Sequence, residues 1–125
     1  EDLTGIVDEI VQNEFDDLGE DVEVMPHIPE EIKRRIRATA KRTGVDFVLV
    51  EIGGTVGDYQ NILFMEAARQ MKLDLDEVVF VHVVYLPIPK NIGEMKTKPA
   101  QHSIMKANSL GIHPDFIIVP VAFNL

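Results

Sequence analysis

Three long apolar runs without polar alternation constrain this 125-residue chain more than any other feature of its sequence. They read DFVLVEI at 46–52, EVVFVHVVYL at 77–86 and DFIIVPVAF at 115–123. A strand with one wet face alternates apolar and polar residues, whereas a strand that helices cover on both faces does not. The runs therefore predict buried strands of a parallel sheet, with Pro120 at an edge or strand end because it cannot donate a ladder hydrogen bond.

Helical patterns alternate with these runs. Apolar residues near a 3.6-residue period predict helices over 3–18, 29–44, 60–72 and 99–110, and a short alternating stretch predicts a strand over 21–25. The helix over 29–44 has the clearest signals, because Pro29 suits a first turn and Gly44 suits a helix end. Strands that alternate with helices indicate βαβ units. We therefore predict a single α/β domain over residues 1–125, with a mostly parallel sheet and flanking helices.

Composition excludes several classes of function. The net charge of −9 argues against nucleic-acid binding, which favours a basic surface. The chain has no cysteine, which excludes disulfides and cysteine-based zinc sites and fits a reducing, cytoplasmic compartment. No run of about 18 apolar residues occurs, so we expect no membrane span. The acidic residues at the start do not resemble a signal peptide.

An acid and three glycines follow the first apolar run, in the stretch EIGGTVGD at 51–58. Ligands of parallel sheets bind beyond the carboxyl ends of the strands, and a strand-end acid such as Glu51 can hold Mg²⁺ beside phosphates. Glycines let backbone N–H groups approach such a ligand. The residues alone are equally compatible with a simple turn in which Glu51 binds no ligand. The phosphate-binding pattern G-x-x-x-x-G-K-[ST] does not occur in the chain.

A second candidate is KTKP at 96–99, directly before a predicted helix. Lys96 and Lys98 can meet an anion at the positive helix end, and Gln101 and His102 can add hydrogen bonds. A solvated charged loop is the more common explanation for such lysines. The four histidines show no spacing typical of zinc ligands, and His82 is predicted to be an interior or lining residue with a hydrogen-bond partner.

Taken together, three segments resemble the amidoligase (synthetase) domain of the CTP synthase family. They are MPHIPEEIKRRI, DFVLVEIGGTVGDYQNILFMEAARQM and GEMKTKPAQHSIMKANSLGIHPDFII, within a resemblance that runs from about Gly19 to Val119. The resemblance implies a P-loop NTPase- or Rossmann-like fold, of which this chain is an incomplete, C-terminal part. It also implies an ATP-dependent ligase of pyrimidine biosynthesis, which phosphorylates the 4-oxygen of UTP so that ammonia displaces the phosphate and gives CTP. A separate glutaminase domain, absent here, supplies the ammonia in the family.

The resemblance also implies roles for particular residues. Glu51 matches a Mg²⁺ ligand at the ATP site, and Pro26 to Ile28 match a segment near the interface of the family's homotetramer. The remaining matches bind UTP or CTP, in part across a subunit boundary. They are Asp58, Tyr59, Gln60, Lys96, Thr97, Lys98, Pro99 and Gln101.

Departures from the family pattern leave two hypotheses. The family's phosphate-binding loop and a second Mg²⁺-binding aspartate are not among these 125 residues, and Gln60 replaces the family's glutamate. The chain is then either a fragment of the enzyme, inactive alone, or a diverged relative. The alternative function is a non-catalytic module for nucleotide binding or oligomerisation.

Overall fold

The described part of the chain forms three α-helices and a two-stranded parallel sheet. A computed structural model describes residues 24–54, 56–75, 77–86 and 96–120, and all structural statements concern these ranges. In chain order the elements are α1 (Val24–Thr43), α2 (Tyr59–Leu75), β1 (Val81–Val83), α3 (Lys98–Ser109) and β2 (Phe116–Ile118). The two strands pair in parallel, with His82 opposite Ile117. The predicted α/β class is confirmed, and the P-loop- or Rossmann-like topology stays a prediction.

Helix α1 begins earlier than the sequence predicts, at Val24 rather than Pro29. The predicted strand over 21–25 is therefore wrong at Val24 and Met25, while 21–23 and the predicted helix over 3–18 lie outside the described residues. Pro29 has no N–H to donate to the carbonyl of Met25, but Ile28, Pro29 and Ile32 are fully buried. Burial of these side chains therefore stabilises a helix here, despite the hydrogen bond missing at Pro29 and the alternating apolar pattern over 21–25.

The segment 46–52 is not a strand, which corrects the prediction of a buried central strand. Its described residues form no β-ladder, and the Phe47 and Leu49 side chains are 87% and 98% exposed. An apolar run becomes a strand only where another strand satisfies its backbone groups. Within the described ranges the sheet contains only β1 and β2, which pair with each other.

The strand prediction over 77–86 holds in position but not in length or burial. Strand β1 covers three residues and alternates, with Val81 and Val83 51% and 63% exposed while His82 and Val84 are buried. Strand β2 is likewise three residues long and exposed, against the prediction over 115–123. His82 meets Ser103 of α3, but the Val81 and Val83 side chains are exposed, so the prediction that both faces of this strand are covered is wrong for the described residues.

Two apolar clusters connect the helices, and α2 contributes to both. Ile28 and Ile32 of α1 pack against Leu63 and Ala67 of α2. The second cluster joins Met65 of α2 to α3 and the segment after it. This sharing of α2 between two partners explains why its apolar residues do not form a single stripe. The predicted helix over 60–72 is confirmed, with bounds slightly wider than expected.

Ion pairs reinforce the contact between α1 and α2. The buried Lys33 ammonium lies 2.5 Å from Glu30 and 3.7 Å from Asp74. Arg37 of α1 donates a hydrogen bond to the same Asp74 carboxylate at 3.2 Å. The basic face of α1 is thus used partly within the fold. In the described residues no helix is long and apolar enough to span a membrane.

The approach to β2 is fixed by Asp115. Its carboxylate accepts hydrogen bonds from the Lys72 ammonium at 2.5 Å and from the Phe80 backbone at 2.7 Å. The Lys72 bond, followed by the backbone bond, lowers the pKa of Asp115. The Lys72 ammonium also lies 4.8 Å from the centre of the Phe80 ring, a cation–π contact. These contacts join the end of α2 to the starts of both strands.

Candidate functional site

Glu51 lies directly before the glycine loop, which the structure describes at residues 52–54 and 56–57. Its side chain is exposed, whereas the next residue, Ile52, is half-buried against the cluster that contains Met65. Burial of Ile52 therefore anchors the backbone beside a solvent-facing carboxylate. This arrangement leaves the Glu51 oxygens accessible to a ligand.

The glycine loop is held by α2. Gly54 and Gly57 have φ angles of 81° and 99°, which favour glycine over other residues. The Asn61 side-chain amide donates a hydrogen bond of 2.7 Å to the Gly53 carbonyl. The Asn61 backbone N–H donates to the Asp58 carbonyl at 3.0 Å. Asn61 therefore connects both ends of the loop to the first turn of α2.

Asp58 directly precedes α2, at the position where an acidic side chain favours the positive helix end. Its side chain is exposed and approaches the loop, because a Cβ built on Gly54 would lie 3.3 Å from Asp58 Oδ2. The backbones of Tyr59 and Gln60 form the first residues of α2. Asp58 thus stabilises the start of the helix, whether or not it also contacts a nucleotide.

The predicted anion site lies at the start of α3. Lys96, Thr97, Lys98, Pro99 and Gln101 all have exposed side chains. Lys98 is the first residue of α3, and the Gln101 amide donates a hydrogen bond of 3.1 Å to the Thr97 hydroxyl. The first N–H groups of a helix have no acceptor within the helix, so they and the lysines present positive charge to solvent. This geometry suits an anion.

The structure relates the two candidate segments through α3. Val56 of the glycine loop packs on the cluster of Ala107 and Ile112, and a Cβ on Gly57 would lie 2.6 Å from Lys106 Cε. Lys106 lies about 12 Å along the helix axis from Lys98, at 1.5 Å per residue. The described contacts therefore place the loop against the second half of α3, and Lys96 to Gln101 at its beginning.

Two residues outside the predicted set connect these segments to the fold. Asn61 holds the glycine loop, and Ser103 of α3 lies 2.9 Å from His82 Nε2. The prediction that His82 is an interior residue with a hydrogen-bond partner is confirmed, since it is only 8% exposed. Ser103 lies between buried Ala100 and Ala107 on one helix face. Ser103 meets His82 whereas Ala107 packs with Met65 and Ile112, and no local sequence pattern signals a contact between residues 21 positions apart.

The carboxyls most strongly bound to cations lie away from the candidate segments. The Arg34 hydrogen bond, offset in part by burial and reinforced by Arg35, lowers the pKa of Glu31 to about 2. The Arg69 hydrogen bond likewise lowers the pKa of Glu66. These acids therefore stabilise helices α1 and α2 as ion pairs.

The arrangement of possible metal-ligating side chains limits the kind of metal site that the described residues can form. In the described part of the chain no three His, Cys, Asp or Glu side chains are grouped closely enough to hold a metal ion. A cage built only of protein ligands does not fit these residues. A single exposed carboxylate such as Glu51 does fit Mg²⁺, which usually takes one or two carboxylates together with phosphates and waters.

Comparisons with known proteins match nearly the whole chain. Residues 4–125 match the family model described as CTP synthase N-terminus. The chain is 57% identical over 103 residues to the CTP synthase of Pyrococcus horikoshii, covering 81% of this chain and 19% of that protein. It is 52% identical over 105 residues to that of Methanopyrus kandleri, covering 82% and 20%. It is 50% identical over 102 residues to a Synechococcus CTP synthase, covering 80% and 19%. The chain spans about a fifth of the length of these relatives.

Proposed function

We propose, since this chain belongs to the CTP synthase N-terminus family, that it is part of an ATP-dependent ligase that aminates UTP to CTP. The match over residues 4–125, together with the exposed KTKP segment at the start of α3, is the observation that supports this proposal. In the proposed reaction ATP phosphorylates the 4-oxygen of UTP. Ammonia then displaces that phosphate, so the products are CTP, ADP and inorganic phosphate.

The start of α3 is proposed to bind the phosphates of UTP. Lys96 and Lys98 provide two cations, and the first helical N–H groups provide further donors. Thr97 is already bonded to Gln101, which holds the segment ahead of α3 against its first turn. Asp58, Tyr59 and Gln60 are proposed to contact the nucleotide of UTP or CTP at the start of α2.

Glu51 is proposed to be a ligand of the Mg²⁺ that accompanies ATP. Magnesium, when bound, neutralises phosphate charge during phosphoryl transfer. The chain's contribution is an exposed carboxylate whose backbone is fixed by burial of Ile52. The proposed topology is that of a P-loop or Rossmann-like sheet, with the ATP phosphates bound by residues beyond these 125.

Further partners follow from the proposed reaction. The ammonia comes from a glutaminase domain, and the UTP site is shared between subunits of a homotetramer. Both features are carried over from the family to this chain, and testing either one requires the protein expressed from the complete reading frame. The 125 residues alone are proposed to be inactive, because positioning of the ATP phosphates needs a phosphate-binding loop.

An assay of CTP formation tests the proposal. The protein expressed from the complete reading frame is supplied with UTP, ATP, Mg²⁺ and ammonium chloride, so that no glutaminase activity is needed. CTP is expected only when all of these are present. A well-folded protein that forms no CTP would contradict the proposed reaction.

A second candidate is a non-catalytic module that binds UTP or CTP or mediates oligomerisation. The observation that favours it is Gln60, a neutral amide at the position where the CTP synthase family has a glutamate. Calorimetry of the 125-residue chain with UTP and with CTP tests it, and sedimentation velocity of the same sample reports oligomerisation. Binding or assembly without CTP formation by the complete protein would favour the module. No heat at millimolar nucleotide, with a monomeric chain, would exclude it.

A further inference from the structure

A polar contact joins β1 to α3, the next described helix along the chain. His82 of β1 is 8% exposed, and its Nε2 lies 2.9 Å from the Ser103 hydroxyl oxygen. Which of the two atoms donates depends on the histidine tautomer. A buried polar group that loses its hydrogen-bond partner destabilises the fold. The interface therefore favours the one arrangement in which these two side chains meet.

The rest of this helix face gives little directional information. Ala100 and Ala107 are buried on either side of Ser103, seven residues apart and so nearly two helical turns. Ala107 packs in the cluster of Met65 and Ile112, and such dispersion contacts are weak individually and not directional. A hydrogen bond requires both a distance and an angle. The contact between Ser103 and His82 therefore adds to the apolar packing of α3 a constraint that depends on both distance and angle.

The same helix carries the proposed phosphate site. Ser103 lies about 7.5 Å along the axis from Lys98, at 1.5 Å per residue. The preceding residues follow the helix, because Thr97 accepts a side-chain hydrogen bond from Gln101 and its carbonyl accepts one from the Gln101 backbone at 3.0 Å. A slide or rotation of α3 therefore moves both lysines.

We propose that His82 and Ser103 are positioning residues, whose contact sets the register of α3 on β1 and thereby the placement of Lys96, Thr97 and Lys98 for nucleotide phosphates. This inference rests on the proposed function. It concerns UTP in particular, because the ATP phosphates are bound elsewhere in that proposal. Neither residue touches the nucleotide.

The test compares serine substitutions on one helix, in the protein expressed from the complete reading frame. Ser103→Ala removes only the hydroxyl group that meets His82. It is expected to raise the KM for UTP about 3- to 10-fold, while kcat and the KM for ATP change less than about 2-fold. Ser103→Thr keeps a hydroxyl and is expected to bring the KM for UTP back to within about 2-fold of the original value.

Two further variants separate positioning from general destabilisation. Ser109→Ala is the matched control, because the exposed Ser109 hydroxyl donates a hydrogen bond of 2.7 Å to the Lys106 carbonyl of its own helix. It is expected to leave all three constants unchanged. His82→Phe removes the ring nitrogens, and the double variant with Ser103→Ala is expected to be no worse than either single variant.

The possible results distinguish the inference from the function it rests on. An unsubstituted protein that forms no CTP overturns both. An active protein in which Ser103→Ala leaves the KM for UTP unchanged overturns the inference alone. Equal changes in kcat and in both KM values, or additive effects in the double variant, would also overturn it, because they indicate a merely structural contact.

Discussion

Glu51 owes its accessibility to its neighbours in the chain. Ile52 is half-buried in a cluster, while Val50 and Glu51 face solvent. The residue types alone place an acid directly before the glycine loop, and the structure shows its side chain exposed, while its role as a metal ligand stays a prediction. Asn61 could not be identified in advance, since its hydrogen bond to Gly53 spans eight residues and depends on how the loop folds back.

Glu51→Ala tests the proposed metal ligand. Loss of a carboxylate that holds Mg²⁺ beside ATP is expected to lower kcat for CTP formation by on the order of 100-fold, about 2.7 kcal/mol of barrier. The measurement is steady-state kinetics on the product of the complete reading frame. Glu77→Ala, at an exposed acid just before β1, is the control and should leave kcat unchanged. An unchanged kcat in Glu51→Ala would contradict the proposal that Glu51 is a ligand of Mg²⁺.

Gly57→Ala tests the requirement for glycine in the loop. The φ angle of 99° strains any other residue, and a Cβ there would lie 2.6 Å from Lys106 Cε. Because the lysine end can move aside, we expect most of the cost to be backbone strain, about 2 kcal/mol in the free energy of unfolding. Denaturant titration measures it. Gly44→Ala, with φ of 62° and open space around the Cβ, should cost only about 1 kcal/mol. Equal costs would show that the loop does not constrain Gly57.

At the scale of elements, the described helices follow the prediction more closely than the strands: two strands form in the predicted positions but are shorter, and the one over 46–52 does not form. Helix α3 lies within one residue of its predicted bounds, because Pro99, the small-residue face and Gly111 are all local signals. The run 46–52 has every local feature of a buried strand, yet it has no ladder in the structure. A strand depends on a neighbour elsewhere in the chain or outside it, and the run itself does not encode that neighbour.

Lys96→Ala and Lys98→Ala test the element that presents the proposed phosphate site. Removing either exposed ammonium should raise the KM for UTP about 10-fold with little change in kcat, because charge-assisted contacts to the substrate phosphates are lost. Kinetics at varied UTP and saturating ATP measure the effect. Lys41→Ala, at an exposed lysine near the end of α1, is the control. A fall in kcat without a change in this KM would contradict a role in UTP binding.

For the whole molecule, carboxyl groups held by cations give stability that depends on pH. Arg34 and Arg35 lower the pKa of Glu31 from 4.5 to about 2. A carboxyl with a lowered pKa stabilises the fold at pH values above 4.5, and this contribution is lost as the pH falls towards 2. Glu66 and Asp115 act in the same direction. The net effect should be a fold that weakens in acid.

Glu31→Gln isolates one of these contributions. We expect it to lower the free energy of unfolding by about 0.5–1 kcal/mol at pH 7, since exposed ion pairs within a helix are individually modest. The difference between the two proteins should shrink as the pH approaches 2. Denaturant titrations at pH 7 and near pH 2 measure it. A difference that is the same at both pH values would show that the ion pairs of Glu31 do not stabilise the helix.

The fate of the 4-oxygen of UTP tests the central claim most directly. UTP labelled with ¹⁸O at that position is supplied with ATP, Mg²⁺ and ammonium chloride to the protein from the complete reading frame. If ATP phosphorylates this oxygen before ammonia displaces it, the label must leave with the phosphate. We therefore predict one ¹⁸O atom in each inorganic phosphate formed with CTP. CTP formation with the label released into water, or no CTP from a folded protein, would contradict the account.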